Sequence, residues 1–305
     1  MSLGASETAS SDAGARRPAS GILGAMVRAR NLASRNPVGV AALLVLVAVF
    51  ILCFGAPWFT PYNPNNPNLN AILQPPSPAH WMGTTPVGED LMSQVLYGGR
   101  VSLTVGLVSA GVSVALGGTI GVLSGYFGGW LDVLLMRLVD AALSIPVLFV
   151  ALALSVIIGQ TPTSIVLIIA GTSWMLPARL MRASVLSLKD RLFVEAATAT
   201  GAKWPRILLK HVVPAALAPM IVNATLLVGQ AIVLESTLSF LGAGLEPPYV
   251  SWGYLLNQAS SYVLQASWVG FFPGLAIFVV VLCVNLVGDG LRTTLDPTLR
   301  SGYWR

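Results

Sequence analysis

Residues 101–124 read VSLTVGLVSAGVSVALGGTIGVLS, twenty-four residues without a single charge. A helix needs ~20 apolar residues to cross the hydrocarbon core of a bilayer, so this stretch is long enough to span one. Its small residues have a period. Ser109, Ser113, Gly117, Gly121 and, one residue beyond the stretch, Gly125 recur every four positions and fall on one helical face. Such a face lets membrane helices approach closely through packing and weak hydrogen bonds, because lipid supplies no hydrophobic drive between them. The ladder therefore reads as a helix-packing surface. Its partner is either another span of this chain, the reading taken here, or a second subunit.

Five more apolar blocks flank this one: Val38–Ala56, Leu131–Ile158, Ser164–Ala183, Ala215–Phe240 and Ser267–Val287. Each is near or above spanning length, so the expected fold class is all-α, a polytopic membrane protein with six transmembrane helices. Pro177 interrupts the fourth block, and a proline is tolerated there only where neighbouring groups satisfy the carbonyl it frees. Composition agrees. The chain of 305 residues is 55% hydrophobic and 10% charged, against roughly 25% charged in soluble domains.

The cations orient the spans. With the N-terminus inside, fifteen of the seventeen Lys and Arg residues are cytoplasmic. They are Arg16, Arg17, Arg28, Arg30 and Arg35 in the tail, Arg179, Arg182, Lys189, Arg191, Lys203, Arg206 and Lys210 in the long loop, and Arg292, Arg300 and Arg305 at the end. The loops 57–99 and 241–266 carry none and are read as external. The domain organisation follows: a cytoplasmic tail over 1–37 without a signal-peptide pattern, a first span over 38–56, a Pro-rich external segment over 57–100, a five-helix core over 101–291 and a cytoplasmic end over 292–305. Eight prolines between Pro57 and Pro86 suit a semi-rigid external platform. The setting is the cell membrane, with lipid as partner. The net charge of +5 lies beside apolar blocks and forms no basic domain, so nucleic acid is not a partner.

Several chemistries have no residues to carry them. No G-x-x-x-x-G-K-[ST] occurs and no lysine follows a glycine, so the chain has no phosphate loop of its own. His80 and His211 fall on opposite sides of the membrane, which leaves no histidine-built metal site. No serine or cysteine sits in a nucleophile elbow. Cys53 and Cys283 lie inside apolar blocks and read as packing residues. The expectation is a protein that is not an enzyme and binds no cofactor.

The long cytoplasmic loop, 184–214, has turn chemistry of its own. Asp190 suits the N-cap of a short helix, Gly201 suits the left-handed residue that closes it, and Pro205 suits the first turn of a second short helix ending before Pro214. Phe193, Ala197 and Thr200 share a face of the first helix, with Ala196 beside them. Such a hairpin could enter a groove of a partner protein or lie on the lipid surface, and the residues alone leave both open.

Within this loop, EAATATGAKWPRILLKHVVP (195–214) resembles the EAA loop of binding-protein-dependent ABC importer permeases, with Glu195, Ala196, Ala197, Gly201 and Pro214 at the pattern positions. HWMGTTPVGEDLMSQVLYGGRVSL (80–103), GYFGGWLDVLLMRLVDAALSIP (125–146), LSFLGAGLEPPYVSWG (238–253) and NLVGDGLRTTLDPTLR (285–300) resemble the C-type permease subunit of dipeptide and oligopeptide importers. Glu89 departs from that pattern, which has a basic residue before the acid at Asp90. The resemblance implies the MetI-like ABC importer permease fold and a pore-forming subunit that imports peptides. It implies an ATPase-docking helix with Phe193, Glu195, Ala196, Ala197, Gly201, Lys203 and Pro214 as its residues. It also implies a second homologous permease subunit, two cytoplasmic ATPases that bind the ATP and Mg, and an external solute-binding protein. A nickel-chelate importer or a carrier not driven by ATP are the alternatives.

Four acids lie within or at the ends of blocks: Asp132, Asp140, Glu235 and Asp289. Charges there are usually paired or face a cavity. Arg137 and Asp140, three apart, are expected to pair. Glu235 either lines the solute path or serves a helix contact.

Overall fold

The computed structural model describes residues 36–64 and 66–295; the expected N-terminal tail and the basic residues of the C-terminal end beyond Arg292 lie outside the described residues. Among the described residues there is no strand, only an isolated bridge between Thr84 and Asp90. Helix α1 is Pro37–Phe54 and α2 is Leu91–Phe127. The pairs α3 (Gly129–Leu143) with α4 (Val147–Ile158), and α5 (Pro162–Ser173) with α6 (Met175–Lys189), follow. Next come α7 (Leu192–Ala199), α8 (Trp204–Phe240), α9 (Trp252–Ser260) and α10 (Trp268–Leu295).

Four of these helices, α1, α2, α8 and α10, are long and apolar enough to cross a membrane unaided, and the two bent pairs bring the number to six. The third and fourth apolar blocks are thus not continuous helices. The α3–α4 pair bends by 87°. Pro146, at φ −60° and ψ 123°, stands where the helix would continue, and its ring pushes the preceding residue out of the α region. The α5–α6 pair bends by 45° at Trp174, three residues before Pro177, whose missing N–H leaves the Ser173 carbonyl without its helical donor.

The second span starts ten residues before the apolar block that announces it, inside the expected external segment. Asp90 caps it: the Asp90 carboxylate accepts from the Ser93 N–H and hydroxyl, both at 2.8 Å. His80 Nδ1 lies 2.9 Å from the other carboxylate oxygen, with the Tyr62 ring 5.0 Å from the His80 ring. The outer segment ahead of this cap is tied down. The Gln74 N–H donates to the buried Thr84 hydroxyl at 2.8 Å, and the Thr85 N–H donates to the Glu89 carbonyl at 2.9 Å.

Helix α2 runs through the centre of the bundle and packs on α6 along its glycine ladder. A Cβ at Gly117 would lie 2.3 Å from the Trp174 carbonyl, one at Gly121 2.4 Å from the Ala178 carbonyl and one at Gly125 2.9 Å from the Arg182 carbonyl. Those atoms are backbone and cannot step aside. Ser109 and Ser113, earlier on the ladder, are fully buried, and the Ser113 hydroxyl donates to the Ser109 carbonyl at 2.8 Å. Towards its N-terminal end the same helix meets α1, α8 and α9. A Cβ at Gly99 would touch Cys53 and Trp252, and one at Gly106 would touch Ile232. Cys53, Leu103, Ile232, Trp252 and Leu255 form the core there.

Replacing Gly121 with leucine should therefore separate α2 from α6 and cost at least about 1–3 kcal/mol, the usual penalty of overpacking. Gly111 on the same helix has nothing within 4 Å of where its Cβ would be. Thermal unfolding in detergent should show a large loss for Gly121→Leu and none for Gly111→Leu; equal behaviour would place the ladder outside the helix contact.

Candidate functional site

The long loop 184–214 folds as a helical hairpin on the end of α6. Asp190 does not cap α7. It closes α6 instead, at φ −99° and ψ 15°, because that helix runs on to Lys189 and uses the next residue as its last. Arg191, extended at φ −79° and ψ 147°, is the residue before α7 and gives no side-chain cap. Its main-chain carbonyl accepts from the Val194 N–H at 2.8 Å, and its guanidinium Nε donates back to the Ser187 carbonyl at 3.3 Å.

The other end of α7 is a Schellman motif. The Ala202 N–H donates to the Ala197 carbonyl at 3.1 Å and the Gly201 N–H to the Thr198 carbonyl at 2.9 Å. Gly201 is at φ +79° with nothing within 4 Å of a would-be Cβ, so glycine is needed there for its backbone and not for space. Pro205 lies in the first turn of the next helix. That helix does not stop before Pro214. It passes through a π-helical turn over Leu208–Val212 and continues into the span, the wider turn absorbing a proline that has no N–H to give.

Val194 anchors the hairpin. It is buried with Ile207, Leu208 and Val212 against Met181 and Val185 of α6 and Ala216 and Met220 of α8. Ala197 packs on the same cluster, so it turns inward and not, as its place beside Phe193 and Thr200 suggests, towards a partner. Leu192 (82% exposed), Phe193, Glu195 and Ala196 face away, with Gly201, Lys203 and Pro214 also exposed. Trp204 is half exposed and meets Phe127, at the end of α2, edge-on with ring centres 5.3 Å apart. The anchor and this aromatic contact are what sequence reasoning missed. Val194 follows Leu192 and Phe193, and nothing local says which of the three turns inward, but Trp204 beside Pro205 is a visible signal.

Two ion pairs tie α6 to α3. Arg182 donates to both Asp132 oxygens, at 2.6 and 2.7 Å, and the Ser124 hydroxyl of α2 donates to the same carboxylate. Arg179 pairs with Asp140. The expected Arg137–Asp140 pair is thus replaced by a pair between helices. The fold brings Arg179 to Asp140 across the α3–α6 contact, where a planar guanidinium satisfies the carboxylate directly.

Glu235 does not line the cleft described below. It is fully buried and serves a helix contact. The hydroxyls of Ser102 and Ser239 donate to it at 3.0 and 2.8 Å, and Ser102 in turn accepts from the Trp252 N–H at 3.2 Å. The Glu235 carboxyl group therefore joins α2, α8 and the start of α9, and the energetic need to satisfy a buried polar group keeps it there. The open space lies elsewhere. A cleft of about 600 Å³ sits where both bent pairs break, lined by Leu143, Val147, Thr172, Ser173 and Met175 with Gln230 and Thr237 of α8 and Asn285 of α10.

Comparison with known proteins places this architecture. Residues 117–301, more than half the chain, match the model of the binding-protein-dependent transport system inner membrane component. The chain belongs to this family. Residues 28–76 match the N-terminal TM domain of oligopeptide transport permease C. The oligopeptide transport system permease protein OppC of Mycobacterium tuberculosis is 39% identical over 272 residues, covering 88% of this chain and 92% of that one. The dipeptide transport system permease protein DppC of Alkalihalophilus pseudofirmus is 36% identical over 267 residues, covering 88% of each. A chain of the inward-facing MetNI methionine ABC transporter superposes with a TM-score of 0.57 at 20% identity, over 68% of this chain and 98% of that one, a likeness of fold. This family member is a multi-pass inner-membrane transport protein, all-α and of the MetI-like permease fold.

Because Glu235 holds helices together, Glu235→Ala should leave its hydroxyl donors unpaired at roughly 1–3 kcal/mol each. Membrane abundance and the detergent unfolding midpoint should fall while solute preference of the surviving protein stays unchanged. A shift in preference at normal stability would return Glu235 to the solute path.

Proposed function

We propose that this chain is the pore-forming subunit of an ATP-driven importer of peptide-class solutes, with both termini in the cytoplasm. It works with a second homologous permease subunit, two cytoplasmic ATPases that bind ATP and Mg, and an external solute-binding protein. The observation that carries this reading is the hairpin around α7. Its inner face is locked into the bundle through Val194, while Leu192, Phe193, Glu195 and Ala196 present an apolar patch with one carboxylate to the cytoplasm. A rigid, unpartnered face of that kind suits a cleft in another protein better than a lipid surface, where a basic face would be expected.

The mechanism follows from the anchoring. ATP-driven closure of the two ATPases draws their docked α7 helices together. Each α7 moves with α6 and the start of α8, because Val194, Ile207, Leu208 and Met181 form one packed cluster. Helix α6 carries α2 through the glycine contact and α3 through the Arg182–Asp132 and Arg179–Asp140 pairs. The displacement reaches the cleft at the helix breaks, where Thr172, Gln230, Thr237 and Asn285 supply polar contacts to a solute. The peptide reading draws on the oligopeptide and dipeptide permeases among the relatives.

Two measurements test it. The purified chain alone in lipid should hydrolyse no ATP above a mock preparation, since no phosphate loop occurs in it. In cells at matched membrane levels, Glu195→Gln should lower uptake and ATPase co-purification about tenfold by leaving a partner cation unpaired. Gly201→Val should do the same, because a β-branched residue resists the left-handed backbone that closes α7. Both variants should insert normally. Normal uptake in both is incompatible with α7 as the docking helix.

A further inference from the structure

At the end of the bundle that the import reading places outside the cell lies a second cavity, of about 460 Å³. It is built by the end of the segment before α2, the first turn of α2, the loop before α9 with Pro247, Pro248 and Val250, and α9 itself; its polar lining is Glu89, Gln94, Tyr254 and Gln258. That lining is one-sided in its chemistry. Gln94 is 2% exposed, and its amide nitrogen donates to the Pro64 carbonyl and, at 2.7 Å, to Glu89 Oε2. Two acceptors on one nitrogen fix the amide's orientation and leave Gln94 Oε1 buried with no donor. Gln258 repeats the pattern: its nitrogen donates to the Tyr254 hydroxyl at 2.8 Å, and its Oε1 is buried without a donor.

The carboxylate between them lacks a counter-ion. Burial pushes the Glu89 carboxyl above its ordinary range, against hydrogen bonds from Gln94 and Thr85 that pull it down. No lysine or arginine occurs in 57–99 or 241–266. Arg100, just inside α2, is engaged elsewhere: it donates to the Phe54 carbonyl at 2.9 Å and lies over the Phe54 and Tyr97 rings.

We propose that this pocket is an external binding site for the protonated amino group of a solute, with Glu89 as counter-ion and Gln94 Oε1 and Gln258 Oε1 accepting its N–H bonds. A primary ammonium carries three donors and no acceptor, which complements a lining with two amide oxygens that have no donor and one carboxylate. A bare metal ion fits less well. It would want six or more oxygens in a tight shell, and the site offers one carboxylate and two neutral amides around a space sized for an organic group. The proposal rests on the import reading and adds a requirement to it: solutes with a free amino terminus are held at the mouth before they enter the bundle.

The test uses the assembled transporter in lipid nanodiscs without binding protein, with trialanine and N-acetyl-trialanine as probes and saturation-transfer NMR as readout. Trialanine should give a saturable signal that N-acetylation abolishes and that Glu89→Gln weakens at least about fivefold, the loss of one charge-assisted bond. Glu246→Gln, an acid in the other outer loop, should leave it unchanged. Gln258→Met removes a second acceptor without touching Glu89 and should weaken the signal likewise, so the site remains testable if Glu89→Gln fails to assemble. Equal signals from both peptides, or an unchanged signal in both variants, overturn the proposal. So does a Glu89→Gln effect confined to affinity for the binding protein, which would mean that a partner's lysine occupies the pocket. ATP-dependent uptake with binding protein is measured in parallel. Uptake that persists while the N-acetyl discrimination is missing sinks the amino-group site alone, and absence of uptake of any peptide sinks the import reading.

Discussion

The contact on which the rest of this bundle depends is the approach of two backbones, α2 and α6, across Gly117, Gly121 and Gly125. In water two helices can be driven together by burying apolar side chains. In lipid that drive is absent, and close packing has to supply the association. Here the would-be Cβ positions of α2 fall within 3 Å of carbonyl oxygens on α6, which is possible only where one partner has no side chain. The contact sets the height and rotation of α6. Everything attached to α6, including the hairpin around α7 and the arginines that reach Asp132 and Asp140, inherits its position from that seam.

The N-terminal half of α2 uses the same device for a different purpose. Gly99 and Gly106 admit Trp252 and Ile232, and Ser102 stands between them to hold Glu235 and the Trp252 N–H. A buried carboxylate is costly in a bilayer unless hydrogen bonds surround it, and serines on α2 and α8 supply them. One 37-residue helix thus organises the bundle twice, by close packing along its C-terminal half and by a polar knot in its N-terminal half.

How much of this was legible follows from which forces are local. Apolar length announces the spans, the four-residue period announces the glycine seam, and the need for a left-handed backbone announces Gly201, because each signal is contained in a few neighbouring residues. Charge partners were not legible. Arg137 is the cation nearest Asp140 in sequence, but folding brings Arg179 beside it, and nothing in the local pattern ranks the two. For Glu235 the sequence left the solute path and a helix contact open, because an isolated acid in a span is expensive in either place. The serines that satisfy it come from distant and adjacent positions alike, and serine is too common in membrane helices to mark them. Asp190 had the right chemistry for a cap but the wrong register, since α6 runs on past its apolar block, which ends at Ala183, to Lys189. The break at Pro146 goes unremarked in the apolar pattern, although a proline inside a 28-residue block is a local signal for one.

Those helix breaks bear on how a push on the hairpin could open the bundle. Non-helical backbone at membrane depth is tolerated where protein or a water-filled cavity covers it, and lipid cannot satisfy its exposed carbonyls. Both breaks, at Ser144–Pro146 and at Trp174, border the same 600 Å³ cleft, and side-chain polar groups gather there: Thr172, Ser173, Gln230 and Asn285. A break is also where a helix pair changes angle at least cost, because no hydrogen-bonded turn has to be opened. The α5–α6 break lies at the head of the element that carries the hairpin, and its neighbour Trp174 is the residue whose carbonyl Gly117 approaches. On the reading proposed above, a displacement of α7 would meet close packing along α6 and a joint at Trp174, which would direct movement into the cleft wall and spare the knot around Glu235.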